Sequence, residues 1–212
     1  MKKITISLLI ICLGLLKTFA QEPVTFSYDL KIFQLDEPDS VLFEKVKYSG
    51  KKAYHLKKLR KNNADEGPDA AYLKNFEFTN GTIECDIASE IFTGIAFRAK
   101  NGEEFECIYF RPFNAGTEKN DNTVQYVAKG TKYTWHYLRK NFPGKYESGA
   151  DIKKNEWFHA KIVVKDTSVK VFVNENPEPV LTVDDMKYGI SSGSVGFWSW
   201  DGYFANLKVW KE

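Results

Sequence analysis

Apolar and polar residues alternate along most of this chain. The pattern is plain in Thr25-Phe26-Ser27-Tyr28-Asp29-Leu30-Lys31-Ile32 and recurs over 41–48, 51–59, 82–87, 95–98, 105–111, 123–127, 157–165, 168–174, 179–183, 194–200 and 203–210. A period of two puts successive side chains on opposite faces of a β-strand. The runs are rich in Val, Ile, Phe, Tyr and Trp and are bounded by Gly, Asn, Asp and Pro, as strands are. Helical periodicity is missing throughout, and only 184–188 suggests a single helical turn. Roughly a dozen strands joined by short turns, without an interrupting linker, predict an all-β fold: one two-sheet antiparallel β-sandwich. Two polar segments, 59–70 and 114–122, break the rhythm. Long loops on a rigid sandwich are where binding usually sits.

The amino terminus follows another pattern. Lys2 and Lys3 precede an apolar run over 4–16, and Thr18-Phe19-Ala20 supplies small residues for cleavage, which is the layout of a secretory signal peptide. Residues 1–20 are therefore expected to be removed before Gln21, leaving one domain over 21–212. The apolar run falls short of the roughly twenty residues that span a bilayer as a helix. No membrane span is expected after cleavage, and the location is secreted or periplasmic.

Export changes the charge. Removing Lys2, Lys3 and Lys17, with no acidic residue, takes the formal net charge from +2 to −1. A near-neutral chain has no electrostatic case for nucleic acid. The cluster of Lys51, Lys52, Lys57, Lys58, Arg60 and Lys61 is followed closely by acids and is expected to be a solvated hairpin. Cys12 leaves with the signal, and no Leu-x-Gly-Cys lipid-attachment box is present. Cys85 and Cys107 remain, on strands separated by the run over 91–100. In a three-strand meander they lie roughly 9–10 Å apart, beyond the ~7 Å between Cα atoms that a disulfide tolerates. Buried free thiols are expected.

Glu84, Asp86 and Glu90 are the first catalytic candidates, because paired carboxylates on one sheet face cut glycosidic bonds in many secreted enzymes. Glu84 and Glu90 are six residues apart, roughly 20 Å along an extended strand, whereas a retaining pair needs ~5 Å and an inverting pair ~6.5–9.5 Å. The acids are expected on the wet face of a strand whose Ile83, Cys85 and Ile87 face the core, and no catalytic residue is assigned. His55, His136 and His159 lack zinc-ligand spacing, and alternation puts His159 opposite the core residues Phe158, Ala160 and Ile162. No nucleophile elbow, phosphate loop or Cys-x-x-Cys occurs. No metal or cofactor is expected beyond a structural calcium that Asp65, Glu66 and Asp69, or Asp121 with Asn120 and Asn122, could hold through oxygen ligands; such clusters more often only make turns.

The better signal for binding is a set of rings and polar forks: Arg98, Tyr109, Arg111, Asn114, Gln125 and Trp135. Aromatic rings cover the apolar face of a pyranose, and Arg, Asn and Gln bond its hydroxyls. Alternation puts Arg98 opposite Phe97, and Tyr109 and Arg111 opposite Ile108 and Phe110. The competing reading is structural, with the arginines pairing with Glu106 and loop carbonyls. Glu106 shares the parity of the core residues, which requires a partner or a bulge.

These same segments carry a resemblance. Gly94-Ile95-Ala96-Phe97-Arg98, Phe105-Glu106-Cys107-Ile108-Tyr109-Phe110-Arg111-Pro112, Val124-Gln125-Tyr126, the run over 156–162, Gly193-Ser194-Val195-Gly196-Phe197-Trp198 and the last strand over 203–209 resemble bacterial concanavalin A-like domains. Those are laminin-G-like jelly rolls, among them the domain family called 3-keto-disaccharide hydrolase. The resemblance covers about residues 72–210 and implies a jelly-roll fold. It departs from the Glu-x-Asp-x-Glu of the related endoglucanases, since Ala88 follows Asp86 at the third place. Three functions stay open: a carbohydrate-binding domain using one sheet face, a glycoside hydrolase acting on 3-keto-disaccharides or related glycosides, and an envelope structural or interaction domain.

Overall fold

The computed structural model describes residues 22–59 and 68–212. The expected signal segment and loop residues 60–67, with Arg60, Lys61, Asp65 and Glu66, lie outside them. The described strands are β1 (Val24–Thr25), β2 (Phe33–Leu35), β3 (Val41–Tyr48), β4 (Lys51–Lys58), β5 (Asp69–Leu73), β6 (Gly81–Ala88), β7 (Thr93–Ala99) and β8 (Phe105–Phe110). They continue with β9 (Val124–Lys129), β10 (Glu147–Ser148), β11 (Phe158–Lys165), β12 (Ser168–Val173), β13 (Leu181–Val183), β14 (Ser194–Ser199) and β15 (Asp201–Lys211). A single α-helix, α1 (Trp135–Asn141), accompanies them among the described residues.

The strands form two antiparallel sheets. One runs β13-β12-β11-β6-β15-β4-β3, with β1 also on β15, and the other β10-β9-β8-β7-β14-β5-β2. Alternation explains which faces meet. Ile83, Cys85 and Ile87 of β6 and Phe158, Ala160 and Ile162 of β11 are buried between the sheets. Opposite them stand Ile95, Ile108, Phe110 and Phe197. Rings bridge the layers, with Phe110 and Phe158 centroids 4.9 Å apart and Phe197 and Phe204 stacked at 4.3 Å. The all-β sandwich expected from the period of two is the fold, and jelly-roll sandwiches share it.

Particular expectations change. The run over 25–32 is not one strand: β1 pairs with β15 in one sheet and β2 with β5 in the other, so this stretch crosses between them. Asp29 makes the crossing by capping a 3-10 turn, its carboxylate accepting from the Lys31 amide at 3.1 Å. The segment taken as a loop over 59–70 ends early, because Asp69 and Ala70 open β5. All five residues of β5 are buried, so it shows no alternation. No helical turn forms over 184–188.

Cys85 and Cys107 are free and buried, but not for the reason of a meander. β6 and β8 belong to different sheets, with Cys85 facing the core and Cys107 on the outer side of the other sheet, beside Ala96 and Val127. The lysine hairpin is less solvated than expected. Lys58 is buried against Asp69 at 3.3 Å, and Lys51 and Lys57 pair with Asp86 and Asp201.

Candidate functional site

The outer face of the seven-stranded sheet is assembled by register. Tyr109 of β8 stands across from Gly94 of β7 on one side and Gln125 of β9 on the other. Gly94 has to be small, because a Cβ there would come within 2.7 Å of the Tyr109 Cβ. Trp198 of β14 packs edge-on to Tyr109 at 5.3 Å. Beyond the end of β8 the Arg111 amide still reaches Thr123 O at 2.8 Å, so the ladder continues one more step and keeps Arg111 on the face of Tyr109. Pro112, which has no N–H to continue pairing, then opens a 3-10 turn, Pro112–Asn114, that turns Asn114 back toward the same end.

The helix supplies the outer wall. Thr134 caps it by accepting from the Tyr137 amide at 3.4 Å, and buried Leu138 anchors it. Its first residue, Trp135, is 46% exposed. Arg139, one turn on and on the same helical face, clamps Glu147 of β10 through Nε and Nη2, the latter at 2.6 Å. The indole thus has two guanidinium groups close to it, Arg111 at 6.0 Å and Arg139 at 5.2 Å.

Arg111 is the centre of this arrangement. Its Nη2 donates to the Tyr109 hydroxyl and to Gln125 Oε1, its Nη1 donates to Asn122 O at 2.8 Å, and Tyr109 in turn donates to Gln125 Oε1 at 2.9 Å. Asn114 Nδ2 donates to the same Asn122 carbonyl, and Gln125 Nε2 to Trp135 O, each at 3.4 Å. Burial pushes the Arg111 pKa down and Tyr109 up. A cleft of about 330 Å³ opens above, lined by Phe92, Arg111, Phe113, Asn114, Lys119, Asn122, Trp135 and Arg139.

Five of the six residues singled out in the sequence, Tyr109, Arg111, Asn114, Gln125 and Trp135, therefore meet at one end of the sandwich. They are more enclosed than expected: Arg111 is 4% exposed and Gln125 0%. Arg98 lies apart. It has φ +52, and the β7–β14 register slips beside it, making a bulge. The bulge sends the guanidinium to the core side, where Nη1 meets Glu106 at 3.3 Å and other N–H groups reach Thr79 O, Gly189 O, Asn80 Oδ1 and Asp166 O. Arg98, not Arg111, is the partner that Glu106 required. Phe92, Lys119 and Arg139 were not anticipated, and Asn122 was singled out only as a possible calcium ligand. Thr134 followed by Trp135, Leu138, Arg139 and Lys140 carries the signal of a capped helix with a basic last turn, which would have placed Arg139 beside Trp135.

The acids of β6 lie on the outside of the other sheet, as alternation predicts. Asp86 is nearly buried and accepts from His159 Nδ1, Lys51 Nζ and Asn206 Nδ2, each at 2.7 Å. Burial alone would raise its pKa, but these three donors outweigh it and hold Asp86 well below the usual carboxylate range. The Asp86 bond also raises the pKa of His159, whose Nε2 is 3.7 Å from Glu84. Glu90 stands beyond the strand, 3.9 Å from Lys154. Asp86 is a saturated anion and the centre of a surface network. Among the described residues no group of three or more His, Cys, Asp or Glu is placed to hold a metal ion, and no described helix is long and apolar enough to cross a membrane.

Similarity to solved structures fits this picture at the level of fold. A carbohydrate-binding module, CBM66 of Bacillus subtilis, superposes with a TM-score of 0.59 at 14% identity, covering 84% of this chain and 96% of its own. A Parabacteroides distasonis protein provisionally described as a glycosyl hydrolase gives 0.58 at 15%, covering 91% and 100%. The β-glucanase of Bacillus licheniformis gives 0.50 at 11%, covering 91% and 98%. The fold is the two-sheet jelly-roll sandwich that these structures share. No protein-family model matches the sequence, and no curated protein matches it significantly.

Proposed function

We propose that this protein is an exported carbohydrate-binding domain that holds a saccharide in the cleft lined by Trp135, Arg111 and Asn114. The observation that carries the reading is the exposed Trp135 indole standing beside a cleft whose floor offers Arg111 and Asn114 and whose wall offers Asn122 and Arg139. An indole face covers the apolar side of a sugar ring, while the amide and guanidinium groups bond its hydroxyls. Solved structures of this fold include a carbohydrate-binding module and a β-glucanase, which supports a sugar as the class of ligand.

Binding is favoured over hydrolysis by the cleft itself. Among the described residues that line it none is a carboxylate, and Glu147, the partner of the lining residue Arg139, is buried and clamped by it. Glycosidases of the common kinds need two carboxyl groups flanking the bond. Export follows from the residues 1–20 pattern, with the domain secreted or periplasmic. A glycan array probed with the purified protein and with Trp135→Ala tests the function. Binding by the wild type that Trp135→Ala abolishes supports it. Release of reducing sugar from any bound glycan, or binding indifferent to Trp135→Ala, would overturn it.

A further inference from the structure

Arg111 is a buried cation with neutral partners. Three of its N–H bonds go to the Tyr109 hydroxyl, Gln125 Oε1 and the Asn122 carbonyl. The rings of Tyr109, Phe92 and Trp135 flank it at 4.7, 5.6 and 6.0 Å. Oxygen dipoles and ring faces solvate a guanidinium without cancelling its charge, and burying an uncompensated charge is costly. Its neighbours do not supply the missing anion. The charge of Glu147 is matched by Arg139 in a forked pair. Lys119, on the cleft rim, makes no ion pair among the described residues. Glu118 and Asp121, on the same loop, are exposed and do not line the cleft. The opening therefore carries the charges of Arg111 and Lys119 without a counterion.

We infer that the ligand is an acidic saccharide whose sugar carboxylate, as in a uronic acid, enters this cleft and supplies that counterion. The inference rests on the carbohydrate-binding reading above and names its class of ligand. A carboxylate accepts charge-assisted N–H bonds from a guanidinium, Arg111 has five N–H groups of which the three bonds above use three, and the enclosed floor strengthens the attraction relative to water. Trp135 covers the sugar ring while the charge selects its substituent. A neutral sugar would bond the same donors and leave the buried charge unmatched.

The test is isothermal titration of the purified protein with tetragalacturonate, tetramannuronate, the methyl ester of each, neutral xylotetraose and a sulfated carrageenan tetrasaccharide. At least one uronate should bind about tenfold or more tightly than its own ester, and the gap should shrink as salt rises from ~50 to ~300 mM and shortens the screening length. Lys119→Gln, at an exposed position, should narrow the gap about threefold, with Lys119→Arg restoring it. Esters or xylotetraose binding as tightly as the acids would overturn the charge selection and leave carbohydrate binding standing. Tighter binding of the sulfated ligand would overturn the carboxylate assignment. Failure of folded protein to bind any of these sugars would sink both readings.

Discussion

Arg98 and Glu106 form an ion pair whose two side chains are wholly shielded from solvent, with Nη1 3.3 Å from the carboxylate. Burial pushes the Glu106 pKa up, while the Tyr126 hydroxyl at 2.7 Å and the Arg98 charge draw it back. Arg98 also ties four backbone and amide oxygens from three other segments, at Thr79, Asn80, Asp166 and Gly189. The pair is a joint that holds several loops to one end of the sandwich.

Breaking the pair from either side should therefore cost unequal amounts. Removing one member of a buried pair typically costs about 3–5 kcal/mol. Glu106→Gln keeps an acceptor for Tyr126 and should fall at or below the lower end. Arg98→Met strands the additional oxygens and should exceed it. Urea unfolding midpoints decide the order, and a Glu106→Gln variant less stable than Arg98→Met would contradict this account.

Trp135 and Arg111 should separate in a stability assay. Trp135 is half exposed at the first turn of the helix, so Trp135→Ala should change unfolding free energy by less than about 1 kcal/mol. Arg111→Ala leaves Asn122 O with only the longer bond from Asn114 Nδ2 and empties a ring-lined site, and should cost about 1–3 kcal/mol. A thermal melt showing the reverse order would mean that the helix, not the guanidinium, holds this end together. Trp135→Ala is accordingly the cleaner probe of binding.

The His159–Asp86 bond makes stability depend on pH in two windows. His159 has a raised pKa, so its contribution is fully present below the ordinary imidazole value of about 6.5 and is lost as pH rises through the higher folded value. Asp86 has a depressed pKa, so its contribution is present above about 3.9 and is lost as pH falls toward the lower folded value. Stability from this pair should peak between the two. Urea midpoints taken from pH 5 to 9 should decline through the neutral range in wild type and flatten in His159→Gln; equal slopes would rule the pair out as the cause.

Cys85 and Cys107 should not react with a thiol reagent in the native protein, since burial pushes both thiols well above their usual pKa and no solvent reaches them. In the form beginning at Gln21, unfolding without reductant should release two titratable thiols. A count of zero after unfolding would show a disulfide and disprove the two-sheet placement of β6 and β8.

The amino-acid sequence by itself determined most of the strands and the inward faces of the regular ones. Alternation is a local property of the backbone, so Ile83, Cys85 and Ile87 had to share one face of β6, and His159 had to turn away from Phe158 and Ala160. It also brought Tyr109 and Arg111 to one side, because they are two residues apart on one ladder. The helix that presents Trp135 was not expected from the sequence: Thr134, Leu138 and Arg139 carry a capping signal, but a single buried anchor gives too little periodicity to stand out.

Which strands share a sheet was decided only by tertiary structure. That depends on pairings between residues far apart in the chain, and those pairings put Cys85 and Cys107 in different layers. Arg98 shows the same limit at one residue. Simple alternation sends it outward, but the left-handed backbone at the β7 bulge is stabilised by what waits on the other side, the Glu106 carboxylate and four oxygens from distant segments. A strand encodes its faces, whereas a bulge is selected by the partners that folding brings to it.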